Sequence, residues 1–214
     1  MSSDFLELIN KSIVNWNAER PLEYQFVWRC LLPLTLIPQK HRKEIKILDV
    51  GGAESNLSKT LAELDFDVTV IDINDVDHGK AKFVRENILM YDFPEQSFDI
   101  VIAISTIEHV GLQSYGQTKQ EDYGDMITME KIHKWLKSYG LAIITLPYGK
   151  PHHPPTFERV YDLTLLDDRI LFGDWRIVEI QYICDKGEWD TCTEEEARNR
   201  DAAVLLLLQK KKHY

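Results

Sequence analysis

The sequence predicts an α/β fold: a doubly wound sheet, mostly parallel, that ends in an antiparallel C-terminal hairpin strand. Three observations predict it. Short apolar runs alternate with amphipathic helical stretches as far as residue 146, the pattern of strand–crossover–strand units. The first run, Lys46-Ile-Leu-Asp-Val-Gly51, is stopped by glycines, as a buried parallel strand is. The last two runs, 175–184 and 202–209, follow one another without a clear crossover helix, so they pair antiparallel at the sheet edge.

The elements follow in order. Residues 4–32 read as helical: Phe5, Leu6, Leu8, Ile9, Ile13 and Trp16 fall near helical spacing, and a second stretch covers 22–32. Pro33 and Pro38 end it, and 41–44 is a polar linker. We therefore divide the chain into an N-terminal helical extension, 1–44, and one domain, 45–214. After the first strand, Leu57, Leu61 and Leu64 share a helical face within 55–64. Strands are expected at 67–73, 82–86 and 98–105. Residues 106–112 begin a helix or turn, and 113–124 is a polar surface loop.

Met126, Met129, Ile132 and Trp135-Leu136 mark a helix over 125–138, capped by Tyr139-Gly140, before a fifth strand at 141–146. The proline-rich segment 147–155 breaks regular structure, and a short helix over 163–171 has Asp162 and Thr164 as candidate caps. The acidic stretch 188–200 holds at most a helical turn at 194–198.

Composition narrows the partners. The 214 residues carry a net charge of −10, with 44% apolar and 28% charged residues. Proteins that grip nucleic acid present a basic face, because they displace counterions from phosphates. The concentrated basic run here is Lys210-Lys211-Lys212, read as a solvated tail, so nucleic acid is disfavoured. No apolar run is long enough to span a membrane, and the N-terminus lacks the basic-then-apolar pattern of a secretory signal. Cys30, Cys184 and Cys192 show no zinc spacing and fit unpaired thiols of a reducing cytoplasm.

The segment Leu48-Asp49-Val50-Gly51-Gly52-Ala53-Glu54-Ser55 joins the first strand to its helix. Glycines there let backbone approach a ligand, and the helix start offers free N–H groups. Asp72 follows Gly51 by 21 residues, at the end of the second strand, where a carboxylate can accept from ribose hydroxyls. A nicotinamide enzyme would want glycine at 51, 53 and 56, but Ala53 and Asn56 stand at the last two.

With these motifs in place, the chain from about residue 45 onward resembles the class I, Rossmann-like S-adenosylmethionine (SAM)-dependent methyltransferases. Asp49-Val-Gly-Gly-Ala-Glu-Ser55 resembles their first motif, with Ala53 and Ser55 replacing two glycines. Val70-Ile-Asp72-Ile73 resembles the ribose-binding motif. Phe83-Val-Arg-Glu-Asn87-Ile88, followed by Phe93-Pro-Glu-Gln-Ser-Phe98-Asp99, resembles the stretch that frames adenine, with Asn87 in place of aspartate and its amide oxygen as acceptor.

The resemblance implies that Asp49, Gly51, Gly52, Asp72, Ile73, Asn87, Ile88 and Ser105 contact SAM and its product, S-adenosylhomocysteine (SAH). Ile107-Glu108-His109-Val-Gly-Leu112, followed by Tyr-Gly and Gly-Asp, resembles a subgroup linked to sugar and surface-polysaccharide pathways, which implies a glycan-like or other small-molecule acceptor.

For methyl transfer the protein aligns the acceptor and often removes its proton. The candidate bases are His109, oriented by Glu108, and His152 and His153 in the proline-rich loop. The bland readings stand beside them: Glu108-His109 as a structural turn, Asp125 as a helix cap, and Arg159 with Asp162 as an ion pair. Adjacent histidines do not easily face one ion, so no metal is assigned. Trp16, Tyr24, Phe26 and Trp28 are read as core or a homo-oligomer face rather than a lid. The expected function is cytoplasmic SAM-dependent methylation, at a hydroxyl, of a small-molecule or glycan-like acceptor. The alternatives are an RNA or protein methyltransferase, or a non-catalytic module on the same fold.

Overall fold

Alternation along the strands builds a two-faced core. In β1 (Lys46–Val50), Ile47 points to one side of the sheet while Leu48 and Val50 point to the other. In β4 (Phe98–Ile104), Ile100, Ile102 and Ile104 face the first side, and Val101 and Ala103 the second. Side chains alternate with period two, so a run apolar at every position must be covered on both faces. The first face is covered by α1 (Arg20–Leu31), through Phe26, Val27, Trp28 and Leu31, and by α3 (Leu57–Glu63), through Leu57 and Leu61. The second is covered by α4 (Gly124–Trp135), through Met129, Ile132 and Trp135, and by α5 (Leu163–Arg169), through Leu166. Each such aliphatic side chain contributes about 1.5–3 kcal/mol when fully buried.

The computed structural model describes residues 19–52, 56–75, 77–115, 120–155 and 157–212. The helix expected over residues 4–16, with Trp16, lies outside them, as do Ala53, Glu54 and Ser55. The remaining elements are α2 (Gln39–Arg42), β2 (Asp67–Asp72), β3 (Lys82–Arg85), β5 (Leu136–Tyr148), β6 (Trp175–Asp185), β7 (Trp189–Cys192), α6 (Glu194–Ala197) and β8 (Ala202–Lys210).

The sheet runs β3-β2-β1-β4-β5-β8-β6-β7. The first five strands are parallel, and β8 lies antiparallel between β5 and β6. This is the mostly parallel sheet with an antiparallel end that the alternation implied. Strand order reverses between β1 and β4, which opens a crevice at their carboxyl ends.

Several local readings are corrected. The helix expected to reach residue 138 ends at Trp135, and β5 starts at Leu136, where it pairs with Phe98 before an irregularity in the register. The strand then runs through Pro147 to Tyr148, because its partner there is the antiparallel β8. β7 went unseen in the acidic stretch. It has four residues, none of them buried, so it carries no apolar alternation; it is held by its hairpin with β6. The turn at 194–198 does form, as α6, with a capping box between Thr193 and Glu196. Lys210 is not a tail residue. It is 6% exposed in β8, and its ammonium donates to the carbonyls of His133 (2.6 Å) and Leu136 (2.8 Å). No described helix is long and apolar enough to cross a membrane.

Candidate functional site

At the switch point lies a cleft of about 950 Å³, counting its open mouth. Six of the eight residues expected to hold a cofactor, Asp49, Gly51, Gly52, Asp72, Ile73 and Asn87, line it, and so do the other two, Ile88 and Ser105.

The turn after β1 is built for close approach. Gly51 has φ +70°, and a Cβ there would stand 2.3 Å from Thr106. A Cβ on Gly52 would stand 2.4 Å from Asp49 Oδ2. The Asp49 carboxyl is buried beneath this turn and accepts from the Ser58 hydroxyl at 2.6 Å. Burial pushes its pKa up to about 6. At the end of β2, Asp72 Oδ1 accepts from the Asn74 N–H at 2.8 Å, which holds the carboxylate at the cleft wall. Asn87 reaches the cleft, but its side-chain oxygen accepts from the Leu89 N–H at 2.9 Å. The oxygen expected to meet adenine thus already has one partner, and its second lone pair and the amide NH₂ are what Asn87 can offer.

The opposite end of the cleft is supplied partly by α1, which sequence reasoning treated as core. Arg20 and Tyr24 line it. Glu23, fully buried, sits behind them: Ser105 Oγ donates to it at 2.7 Å and the Arg20 guanidinium at 3.2 Å. Burial pushes the Glu23 carboxyl up, and Arg20, Thr145 and Ser105 pull it back. The missed signal was a carboxylate at helical spacing from Val27 and Leu31, within the buried face of the helix.

His109 lines the same end, in the one-turn 3₁₀ helix Ile107–His109 after β4. Its Nδ1 lies 2.8 Å from the Phe157 carbonyl oxygen. A carbonyl only accepts, so Nδ1 carries the proton and the neutral ring keeps its basic lone pair on Nε2. Nε2 is 3.7 Å from Glu108 Oε1. Glu108 is 1% exposed, and neither carboxyl oxygen has a hydrogen-bond partner among the described residues. Burial therefore holds its pKa well above the usual carboxylate range.

His152 and His153 are not brought to this site. Both are exposed, and neither lines the cleft. Arg159 pairs with Asp125 (3.7 Å) rather than Asp162, and Asp162 caps α5 through the Leu165 N–H. Asp125 is no cap. It is fully buried within α4 and accepts from Tyr161 (3.0 Å) and from Arg169 (2.6 and 2.8 Å). Arg159 donates to the carbonyls of Glu108 (3.2 Å) and Val110 (2.7 Å) and so fastens the turn that carries His109.

Residues 24–184 match the family described as a methyltransferase domain. The chain belongs to this family. This methyltransferase domain has the class I, Rossmann-like fold. It is 30% identical over 122 residues to a ubiquinone biosynthesis O-methyltransferase of Rickettsia akari (strain Hartford), a match covering 51% of this chain and 49% of that protein. The chain thus spans about half the length of that curated relative.

Among solved structures, the domain resembles a Burkholderia thailandensis 1,6-didemethyltoxoflavin-N1-methyltransferase with bound SAH. The TM-score is 0.64 at 15% identity, over 98% of this chain and 87% of that one. It also resembles the (4+2)-cyclase SpnF, with a TM-score of 0.55 at 12% identity, over 99% and 93% of the two chains. At such identities the likeness is one of fold, and the chemistry must be argued from the site.

Proposed function

We propose that this methyltransferase domain moves a methyl group from SAM to an oxygen of a small-molecule acceptor, with His109 taking the acceptor's proton. The observation that carries this reading is the His109 Nδ1 to Phe157 carbonyl contact at 2.8 Å, which leaves Nε2 as the base in a residue lining the cleft. Glu108, 3.7 Å away, steadies the ring once it is positively charged, since an imidazolium favours the ionised form of a neighbouring carboxyl.

The residues present fit the cofactor. Asp72 and Ile73 would hold its ribose, Asn87 and Ile88 would frame its adenine, and the turn that only glycine fits at 51 and 52 would pass close to its sulfur end. Arg20, held by Glu23, would meet its carboxylate. When bound, SAM supplies a methyl group on a sulfonium, and the C–S electron pair returns to sulfur as the methyl leaves. The matched O-methyltransferase supports an oxygen acceptor, and the toxoflavin enzyme's name supports a small molecule. Neither name supports the glycan-like acceptor suggested by the likeness at 107–112.

The test pairs SAH titration with turnover on a panel of hydroxylated small molecules, for the wild type and His109→Gln. Equal SAH affinity with a loss of about 100-fold or more in turnover supports the reading. Unchanged turnover in the variant would remove His109 from the chemistry. SAH binding without turnover on any acceptor would favour a non-catalytic module.

A further inference from the structure

Resting on that reading of His109 and the cofactor cleft, we propose that the acceptor is a flat aromatic ring bearing the reactive hydroxyl, seated on Tyr115 and Phe157.

These two side chains and His109 form a three-ring cluster, in which Tyr115 and His109 line the cleft and Phe157 packs against both. The His109 ring lies edge-on to Tyr115 at 5.0 Å and to Phe157 at 4.8 Å, and the Tyr115 and Phe157 centroids are 5.5 Å apart. Tyr115 is 49% and Phe157 53% exposed. They present ring surface beside the base, and aromatic partners settle on such surfaces offset or edge-on at these separations.

Several side-chain protons at this end are already engaged: the Ser105 hydroxyl donates to Glu23 (2.7 Å), the Thr106 hydroxyl to the Ile104 carbonyl (2.9 Å), and His109 Nδ1 to the Phe157 carbonyl (2.8 Å). A ring with one or two hydroxyls asks for little beyond Nε2.

The proton balance points the same way. A neutral histidine has an ordinary pKa of about 6.5, and a phenolic hydroxyl like that of tyrosine one of about 10. An aliphatic hydroxyl holds its proton far more tightly, closer to bulk water. Transfer to a histidine nitrogen is therefore far less uphill from a phenol than from an aliphatic hydroxyl. The oxygen keeps its electron pair, and the proton passes to Nε2. A histidine with Glu108 beside it suits the first gap.

The experiment uses the full chain saturated with SAH, with 4-nitrophenol as the aromatic probe and methyl α-D-glucopyranoside as the polyhydroxyl probe. Calorimetry reads binding. The absorbance of 4-nitrophenol, at a pH where the free probe is mostly neutral, reads loss of its proton. The expected result is that 4-nitrophenol binds, shifts toward phenolate, and loses that shift in His109→Gln. Phe157→Ala and Phe157→Leu should each weaken its binding about tenfold without changing SAH affinity; the exposed position of Phe157 lets both variants fold. Preference for the glucoside, or 4-nitrophenol binding indifferent to both Phe157 variants, would overturn the proposal. If SAH itself fails to bind, the cofactor reading falls; if SAH binds and 4-nitrophenol does not, only the aromatic seat falls.

Discussion

The Ser105 hydroxyl donates to the Glu23 carboxylate at 2.7 Å, across 82 residues of sequence. This contact ties α1 to the carboxyl end of β4. The same carboxylate holds Arg20 at the cleft wall, so the docking of the helix and the shape of the site are one arrangement.

Removing the charge from that carboxylate should be felt at both ends. Glu23→Gln is expected to cost about 1.5–3 kcal/mol of stability, the range for hydrogen bonds to charged groups. A double-mutant cycle with Ser105→Ala, measured by urea unfolding, should show coupling of about 0.5 kcal/mol or more. Strict additivity would mean that the two groups do not interact in solution.

Glu108 makes stability depend on pH. Burial raises its folded-state pKa well above its unfolded value. A raised pKa gives a contribution fully present below the ordinary carboxyl range and lost as pH rises through the folded value. Thermal melts from pH ~5 to ~8 should therefore show the wild type losing stability relative to Glu108→Gln, the gap moving steadily in the variant's favour. Parallel curves across that window would show that Glu108 does not titrate abnormally.

Asp125 balances two guanidiniums, one of them on Arg159, which is 6% exposed. Asp125→Ala strands these charges and should destabilise the domain by about 3–5 kcal/mol, the cost of breaking a buried pair by removing one partner. Chemical denaturation reads this directly. A loss within about 0.5 kcal/mol, as at an ordinary surface site, would show that water reaches the pair.

Asp72→Ala should leave the fold intact, because the side chain lies at the end of β2, where its carboxylate accepts from the nearby Asn74 N–H. SAH affinity should fall by about 10-fold or more, from the loss of charge-assisted hydrogen bonds of about 1.5–3 kcal/mol each. Calorimetric titration of SAH into the purified variant checks it. Wild-type affinity would place the ribose elsewhere.

How much was legible in advance divides along the range of the interactions. Periodicity in β1, β4 and β8 reported the sheet, because a strand buried on both faces must be apolar at nearly every position. The Gly51 turn and Asp72 were legible because a phosphate-sized or ribose-sized ligand at a switch point needs a glycine turn and an acid at a set distance along the chain. Strand β7 was not legible, since an exposed hairpin arm leaves no apolar pattern.

The sequence by itself determined the α/β sheet, its antiparallel end, the cofactor turn and His109 as a candidate base. Each of these is written in local spacing. Only the tertiary structure decided that Arg20 and Tyr24 line the cleft with Glu23 behind them, that His152 and His153 do not line it, and that the Glu108 carboxyl is buried with no hydrogen-bond partner among the described residues. Those outcomes depend on how α1 docks against the ends of β4 and β5. Docking is fixed by packing between segments far apart in the chain, and no spacing within either segment encodes it.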